Sequence, residues 1–246
     1  MKAEITVIVV TLNSEKYLKQ TLDSIVSQKL FKQGKVKILI QDGFSRDKTL
    51  IISRKFEKKY KNIKISIQKD FNHFDAMNKA AKKVTTKYLL FLHSDDYFCT
   101  NQSLNTLYLN IKKKNWCCAF VNFINEKNLI FRKMKPSEFS FNDMLISNRI
   151  CHQTVLIKTN IHKKLKFDTK FSFASDYLFF LNVWEKFGSP KIIHQNIVNQ
   201  RFDGKNISSN FYLMLIDEFM CRIHYFNKKK NKTFAFMAVY FCIEIS

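Results

Sequence analysis

Glycine and proline are nearly absent, at four and two residues in 246. A chain so poor in both carries no flexible or proline-rich linker. Neither G-x-x-x-x-G-K-[ST] nor G-x-G-x-x-G occurs, which argues against a Walker-type or a Rossmann dinucleotide site. There is no G-x-S-x-G nucleophile elbow. The six cysteines (Cys99, Cys117, Cys118, Cys151, Cys221 and Cys242) include no C-x-x-C pair and sit mostly in apolar stretches. That pattern fits reduced, buried thiols in a cytoplasmic protein, with neither a disulfide framework nor a zinc site. Acid is also scarce: 20 Asp and Glu face 42 Lys and Arg, for a net charge of +22. An anionic partner would suit that balance, whether nucleic acid, lipid headgroups or a phosphorylated substrate. The charges are spread along a chain rich in Lys, Asn, Ile and Phe, so compositional bias is an equal explanation. No basic–aromatic repeat accompanies them, and no nucleic acid is expected. The apolar run near Met1 is short and lacks a small-residue cleavage site, so it reads as a first strand, with no signal peptide expected.

What is present is a core. Hydrophobic residues make up 46% and aromatics 15% of the chain, enough for one sizeable domain. "ITVIVV" (residues 5–10) reads as a strand, and Asn13 or Ser14 is placed to cap a helix carrying Tyr17, Leu18, Leu22 and Ile25. Val36–Asp42 is a second strand, followed by a helix with Ile51, Ile52, Phe56 and Tyr60 on one face. "NIKISIQKD" gives a third strand, Asp75–Val84 a helix, and "YLLFLHSDD" a fourth strand; a helix follows over about Gln102–Lys113. This alternation implies right-handed βαβ crossovers and a mainly parallel sheet flanked by helices. Beyond Asn115 the rhythm loosens. "CCAFVNFI", "CHQTVLIK" and "KIIHQNIVNQRF" read as strands, and "ASDYLFFLNVWEKFG" as a helix capped by Ser175 or Asp176 and closed by Gly188. Residues 208–246 read as helix interrupted by "NKKKNK".

Open parallel sheets bind ligands beyond the carboxyl ends of their strands. Thr11 and Asn13, Asp42, Asp70 with Asp75, and Asp95 with Asp96 end four successive strands there. Two adjacent carboxylates at the end of an apolar run need positive charge. Oxygen-only ligation points to Mg2+ or Mn2+, which commonly bridge a carboxylate to substrate phosphates. The alternative is a turn in which one aspartate caps a helix and the other meets water.

"VTLNSEKYLKQTLDSIVSQ", "QDGFSRDKT", "DFNHFDAMNKA" and "FLHSDD", in this order, resemble the family 2 glycosyltransferases of GT-A fold. "CHQTVLIK", "FSFASDYLFF" and "FDGKNIS" are similar to segments of a bacterial branch that builds surface polysaccharides. The resemblance spans about residues 4–210. It implies an α/β nucleotide-diphospho-sugar transferase fold over 1–210 and a basic, apolar helical tail over 211–246. It places Thr11, Asn13 and Glu15 against the nucleotide, Asp42 at the base and Asp75 beside the nucleotide-sugar. Asp95 and Asp96 match the metal-binding pair, with Asp96 the favoured ligand and Asp95 also on the donor. Asp176 matches the catalytic base, and His152 and Gln153 line the acceptor or diphosphate side. Beside that match, Arg201 and Lys205 are candidates to steady phosphates on the acceptor or diphosphate side, with solvated surface the alternative for either. The chain departs from the family pattern at Phe44, Arg46 and Lys48, which replace small residues. It departs again at Asn72, Ala80 and Thr86, which replace glycines, at His93, where Asn is common, and at Asp203 and Lys205.

These matches imply metal-dependent inverting transfer from a nucleotide-sugar, UDP-linked by preference, to a glycan or polyprenyl-linked hydroxyl. The expected location is cytoplasmic, peripheral on the inner face of the membrane. There "NKKKNK" and "TFAFMAVYFCIEIS" would meet anionic headgroups. The same tail reads equally well as a helix packed on the domain. The rival reading of the whole is a catalytically inactive sugar-nucleotide-binding relative, against which the retained aspartates argue.

Overall fold

β-branched runs between polar turns build the centre of the molecule. The computed structural model describes residues 2–202 and 211–228. β1 (Ile5–Thr11) pairs in parallel with β2 (Val36–Asp42) on one side and β4 (Tyr88–His93) on the other, and β2 pairs in parallel with β3 (Ile63–Ile67). Register aligns Thr11 with Asp42 and Val10 with His93, so the strand ends meet along one edge.

The second half adds β5 (Tyr97–Phe98), β6 (Trp116–Ile124), β7 (Ile130–Lys133), β8 (Leu156–Lys158) and β9 (Lys191–Arg201). The nine-stranded sheet runs β3-β2-β1-β4-β8-β6-β9-β5, with β7 on β6. β8 is antiparallel to both β4 and β6, whereas β6 and β9 are parallel. The mainly parallel sheet is as the sequence implies, with antiparallel joints in the less regular half.

Helices cover both faces. Val7 and Val9 pack among α1 (Leu18–Val26), α2 (Lys29–Lys32) and α5 (Ser103–Asn110), with α3 (Thr49–Lys59) at the margin. Ile8 and Val10 face the other way, toward α4 (His73–Lys83), α6 (Phe141–Ile146), α7 (Thr159–Leu165) and α8 (Ser175–Phe187). The period-two alternation of β1 thus feeds two cores. α9 (Phe211–Lys228) packs on α8, with Cys221, Tyr225 and Phe226 in the second core. Residues 229–246, with most of the basic and apolar tail, and Asp203 and Lys205 lie outside the described residues.

Several local expectations fail for identifiable reasons. Asn13 and Ser14 do not cap α1, whose N-cap is Tyr17, because Asn13 Oδ1 accepts the Arg46 N–H and Ser14 Oγ accepts the Ser94 hydroxyl. Ile51 is exposed on α3, where Thr49 and Ser53 are the buried positions. α4 begins two residues early because Asn72 caps it, accepting from the Asp75 N–H at 2.9 Å. Neither Ser175 nor Asp176 caps α8, whose N-cap is Ala174. "CHQTVLIK" is a strand only from Leu156; His152–Thr154 form a 3-10 turn. Gly188 does end α8, at φ +83°.

Candidate functional site

The loop after β1 is stitched to the loop after β2 residue by residue. Thr11 donates to Asp42 Oδ2 at 2.8 Å, the Asn13 N–H to Ser45 Oγ at 2.9 Å and the Ser14 N–H to Thr49 Oγ1 at 2.7 Å. Asn13 Oδ1 accepts from the Arg46 N–H, and Glu15 accepts from the Lys48 N–H while its own N–H donates to Asp47. Asp42 is 0% exposed, and its two oxygens accept from Thr11 and from the Ser45 hydroxyl and N–H. The residues matched to nucleotide contact therefore spend these polar groups on shaping the loop pair. Ser45, which sequence reading passed over, anchors that pair.

Asp70 and Asp75 converge on Lys79, at 3.4 and 2.6 Å. Asp75 also accepts the Phe71 N–H at 3.0 Å. Burial nonetheless raises Asp70 above the usual carboxylate range, against the pull of Lys79. Near these acids two aromatic rings are exposed, Phe44 at 58% and Phe71 at 92%, with Lys79 Nζ 5.5 Å from the Phe71 ring centroid. Phe44 sits at φ +68°, a backbone region costly for a side chain of its size.

The acidic turn after β4 is held from the far end of the chain. Asp96 is 1% exposed; Oδ1 accepts the Arg201 N–H at 2.8 Å and Oδ2 the Gln153 amide at 3.0 Å. Burial, reinforced by the Asp95 charge, pushes Asp96 well above the usual carboxylate range, and the two N–H donors and the Arg201 charge oppose that push. Arg201 is itself 0% exposed. Its guanidinium donates to the carbonyls of Asp95, Asn125 and Glu126 and to Gln20 and Asn128, and lies 3.9 Å from the Tyr17 ring centroid. Those contacts engage all of its N–H donors. Arg201, a candidate to steady phosphates and not the solvated surface residue of the alternative, and Gln153, matched to the diphosphate or acceptor side, thus brace the acidic turn from within.

A rim of carboxylates invites a cation, yet Lys79 and Arg201 already answer most of this one. No group of three or more His, Cys, Asp or Glu among the described residues is arranged to hold a metal. Asp95 is the half-buried carboxylate of the pair, on the same turn as enclosed Asp96. A single carboxylate sharing an ion with substrate phosphates fits Mg2+ or Mn2+ chemistry.

At the start of α8, Asp176 Oδ2 lies 2.8 Å from His152 Nδ1, and Oδ1 accepts the Tyr177 N–H at 2.8 Å. His152 and Gln153 are consecutive on the 3-10 turn, so one short segment touches both Asp176 and Asp96. A cavity of about 120 Å³ between α8 and α9 is lined by none of these residues.

The family model for glycosyl transferase family 2 matches residues 6–182. The chain belongs to that family. It is a glycosyltransferase dependent on a nucleotide-sugar. The chain is 24% identical to an uncharacterized glycosyltransferase of Methanocaldococcus jannaschii, covering 93% of this chain and 81% of that one. It is 27% identical to the UDP-Glc:alpha-D-GlcNAc-diphosphoundecaprenol beta-1,3-glucosyltransferase WfaP of Escherichia coli, over 86% and 82%. It spans only 30% of the poly(ribitol-phosphate) beta-glucosyltransferase of Bacillus spizizenii, at 26% identity over 74% of this chain. Staphylococcus aureus TarS 1-349 in complex with UDP-GlcNAc superposes with a TM-score of 0.69 at 20% identity, over 88% of this chain and 66% of that one. The mannosyltransferase PcManGT of Pyrobaculum calidifontis, in complex with GDP-Man and Mn2+, gives 0.64 at 13% identity, over 94% and 65%. The fold is GT-A.

Proposed function

We propose that this glycosyltransferase transfers a hexose or N-acetylhexosamine with inversion from a nucleotide-diphosphate donor, UDP-linked by preference, to a hydroxyl of a glycan or lipid-linked acceptor in surface-polysaccharide synthesis. The observation that carries this reading is the 3-10 turn His152–Thr154, which ties Asp176 to the acidic turn at Asp95 and Asp96. Asp176 is the base. A carboxylate offers about four acceptor positions, and hydrogen bonds to His152 and to the Tyr177 N–H leave room for an acceptor hydroxyl. As that oxygen attacks the anomeric carbon, its proton passes to Asp176. Asp95 is the residue we assign to a divalent ion, because it is half-buried whereas Asp96 is enclosed. Such an ion supplies charge stabilisation for the departing diphosphate. Phe44 and Phe71 offer their exposed rings to the base of the donor.

No helix among the described residues is long and apolar enough to cross a membrane. The net charge of +22 and the exposed Tyr212, Leu213, Leu215, Ile216 and Met220 of α9 support peripheral contact with an anionic membrane instead. Salt-sensitive sedimentation with phosphatidylglycerol vesicles, absent with phosphatidylcholine, is the expected result; equal binding to both would refute it.

The enzymatic reading is tested by nucleoside diphosphate release from a panel of UDP- and GDP-sugars with lipid-linked acceptors. Asp176→Asn should lower kcat by about 10²–10⁴-fold while leaving nucleotide affinity intact. Turnover within a fewfold of wild type would remove Asp176 as the base.

A further inference from the structure

His93 ends β4, and its carbonyl accepts the Asp96 N–H of the acidic turn, while its imidazole turns to another partner. Its Nε2 lies 2.6 Å from His152 Nε2, with ring centroids 4.8 Å apart. His152 in turn reaches Asp176 through Nδ1 at 2.8 Å. The result is a line of three side chains from β4, the 3-10 turn and α8. We propose that His93 is a positioning residue for Asp176, acting through the imidazole of His152; this rests on Asp176 being the base.

The argument is one of remaining freedom. The backbone at the turn is pinned: Thr154 Oγ1 donates to the Ala119 and Cys151 carbonyls at 2.8 Å each, and Gln153 is tied to Asp96. What can still move is the His152 ring. An ionised carboxylate only accepts, so the hydrogen facing Asp176 must sit on Nδ1, whether His152 is neutral or charged. The other nitrogen of a histidine sets which tautomer and which ring orientation persist, and that nitrogen is held by His93. Two ring nitrogens at 2.6 Å share one hydrogen between them, in either direction, and the geometry of the line is the same in both cases. Without His93 the imidazole can turn its Nδ1–H away from Asp176, and the carboxylate keeps only the Tyr177 N–H. His73, packed against Phe74, also stands beside His93, with ring centroids 6.0 Å apart.

The test uses the full chain and two variants, His93→Leu and His93→Asn, with His152→Gln to assign the His152 ring signals. Long-range 1H–15N spectra of wild type should show His152 in one form with the hydrogen on Nδ1. His93→Leu should give tautomer-averaged nitrogens, and His93→Asn, which keeps a polar partner, should restore the single form. Once a donor is in hand, His93→Leu should lower kcat by roughly 10–100-fold, the usual cost of losing the partner that orients a functional histidine. KM for the donor and UDP affinity should stay within about twofold, and His93→Asn should recover most of kcat. An unchanged His152 spectrum in His93→Leu overturns the proposal. So does a loss of kcat and UDP affinity together that His93→Asn does not rescue, which is the mark of a merely structural role. If Asp176→Asn keeps its turnover, the base assignment fails, whereas the spectrum still reads the His93–His152 contact.

Discussion

On the β3-β2-β1 side of the sheet, acidic groups are satisfied by partners from within the first half of the chain. Asp42 takes its donors from Thr11 and Ser45, and Lys79 sits one helical turn from Asp75. On the β8-β6-β9 side, the contacts join the two halves of the chain: Asp96 is held by Gln153 and Arg201, and Asp176 by His152, itself held by His93. The first half supplies a rim whose contacts lie within that half, with the Phe44 and Phe71 rings exposed. The second half is a clamp that forms only once the whole sheet is assembled. The rim suits donor recognition, and the clamp suits holding a base in one orientation.

The strongest way to break this contrast is Arg201→Met. It removes the donors to three backbone carbonyls inside the clamp and leaves a buried carboxylate short of positive charge. A loss of about 3 kcal/mol or more in stability to denaturant is expected, since each orphaned buried group costs about 1–3 kcal/mol. Removing a rim partner, as in Ser45→Ala, should cost about 1 kcal/mol. Equal losses would erase the distinction.

A smaller effect sharpens the picture on the clamp side. His162 is 1% exposed, both ring nitrogens lack partners, and Phe91, Phe167 and Phe179 surround it. Burial depresses it to about 3. The unfolded chain therefore binds a proton that the folded chain refuses, so the stability difference is absent above about pH 6.5 and grows against the fold as pH falls toward 3. His73, lowered to about 4, and His93 act in the same sense, while Asp96 and Asp70, both raised, act in the opposite one. His162→Leu isolates one contribution. It should gain about 1–2 kcal/mol at pH 7, where two unsatisfied atoms disappear, and more at pH 5. Parallel unfolding midpoints across that range in wild type and variant would contradict the assignment.

The smallest expected change lies on the rim. Phe44→Gly relieves a side chain held at φ +68° and should raise stability by about 1 kcal/mol. The same change should weaken nucleotide binding severalfold if the ring carries the base. A gain in stability with unaltered affinity would leave the strain without that role.

How much of this the sequence disclosed follows the same division. Alternating βαβ segments with contiguous apolar runs made β1 to β4 and their rim readable, because each element declares itself within a dozen residues. The resemblance to the family singled out Asp176, while the SD step before an apolar helix suggested a cap that is not there. Ser45 was missed because its role depends on Asp42 three residues back and on Asn13 across the loops. Lys79 carried a signal, its i,i+4 spacing from Asp75, that was available and not used. The engagement of Arg201 with residues 20, 95, 125, 126 and 128, and the pairing of His93 with His152, had no local signature. Both depend on β9 and the 3-10 turn arriving beside β4, which only the assembled topology supplies.

The central claim, a donor site at the end of β4 where Asp95 and not Asp96 meets the ligand, is tested most directly by the heat of binding of UDP and of GDP, with and without Mn2+. Wild type should bind one of them in a metal-dependent way. Asp95→Asn should abolish the metal dependence, whereas Asp96→Asn should lower the unfolding midpoint. Metal-dependent binding that survives Asp95→Asn, or no nucleotide binding by wild type under any metal condition, would contradict the account.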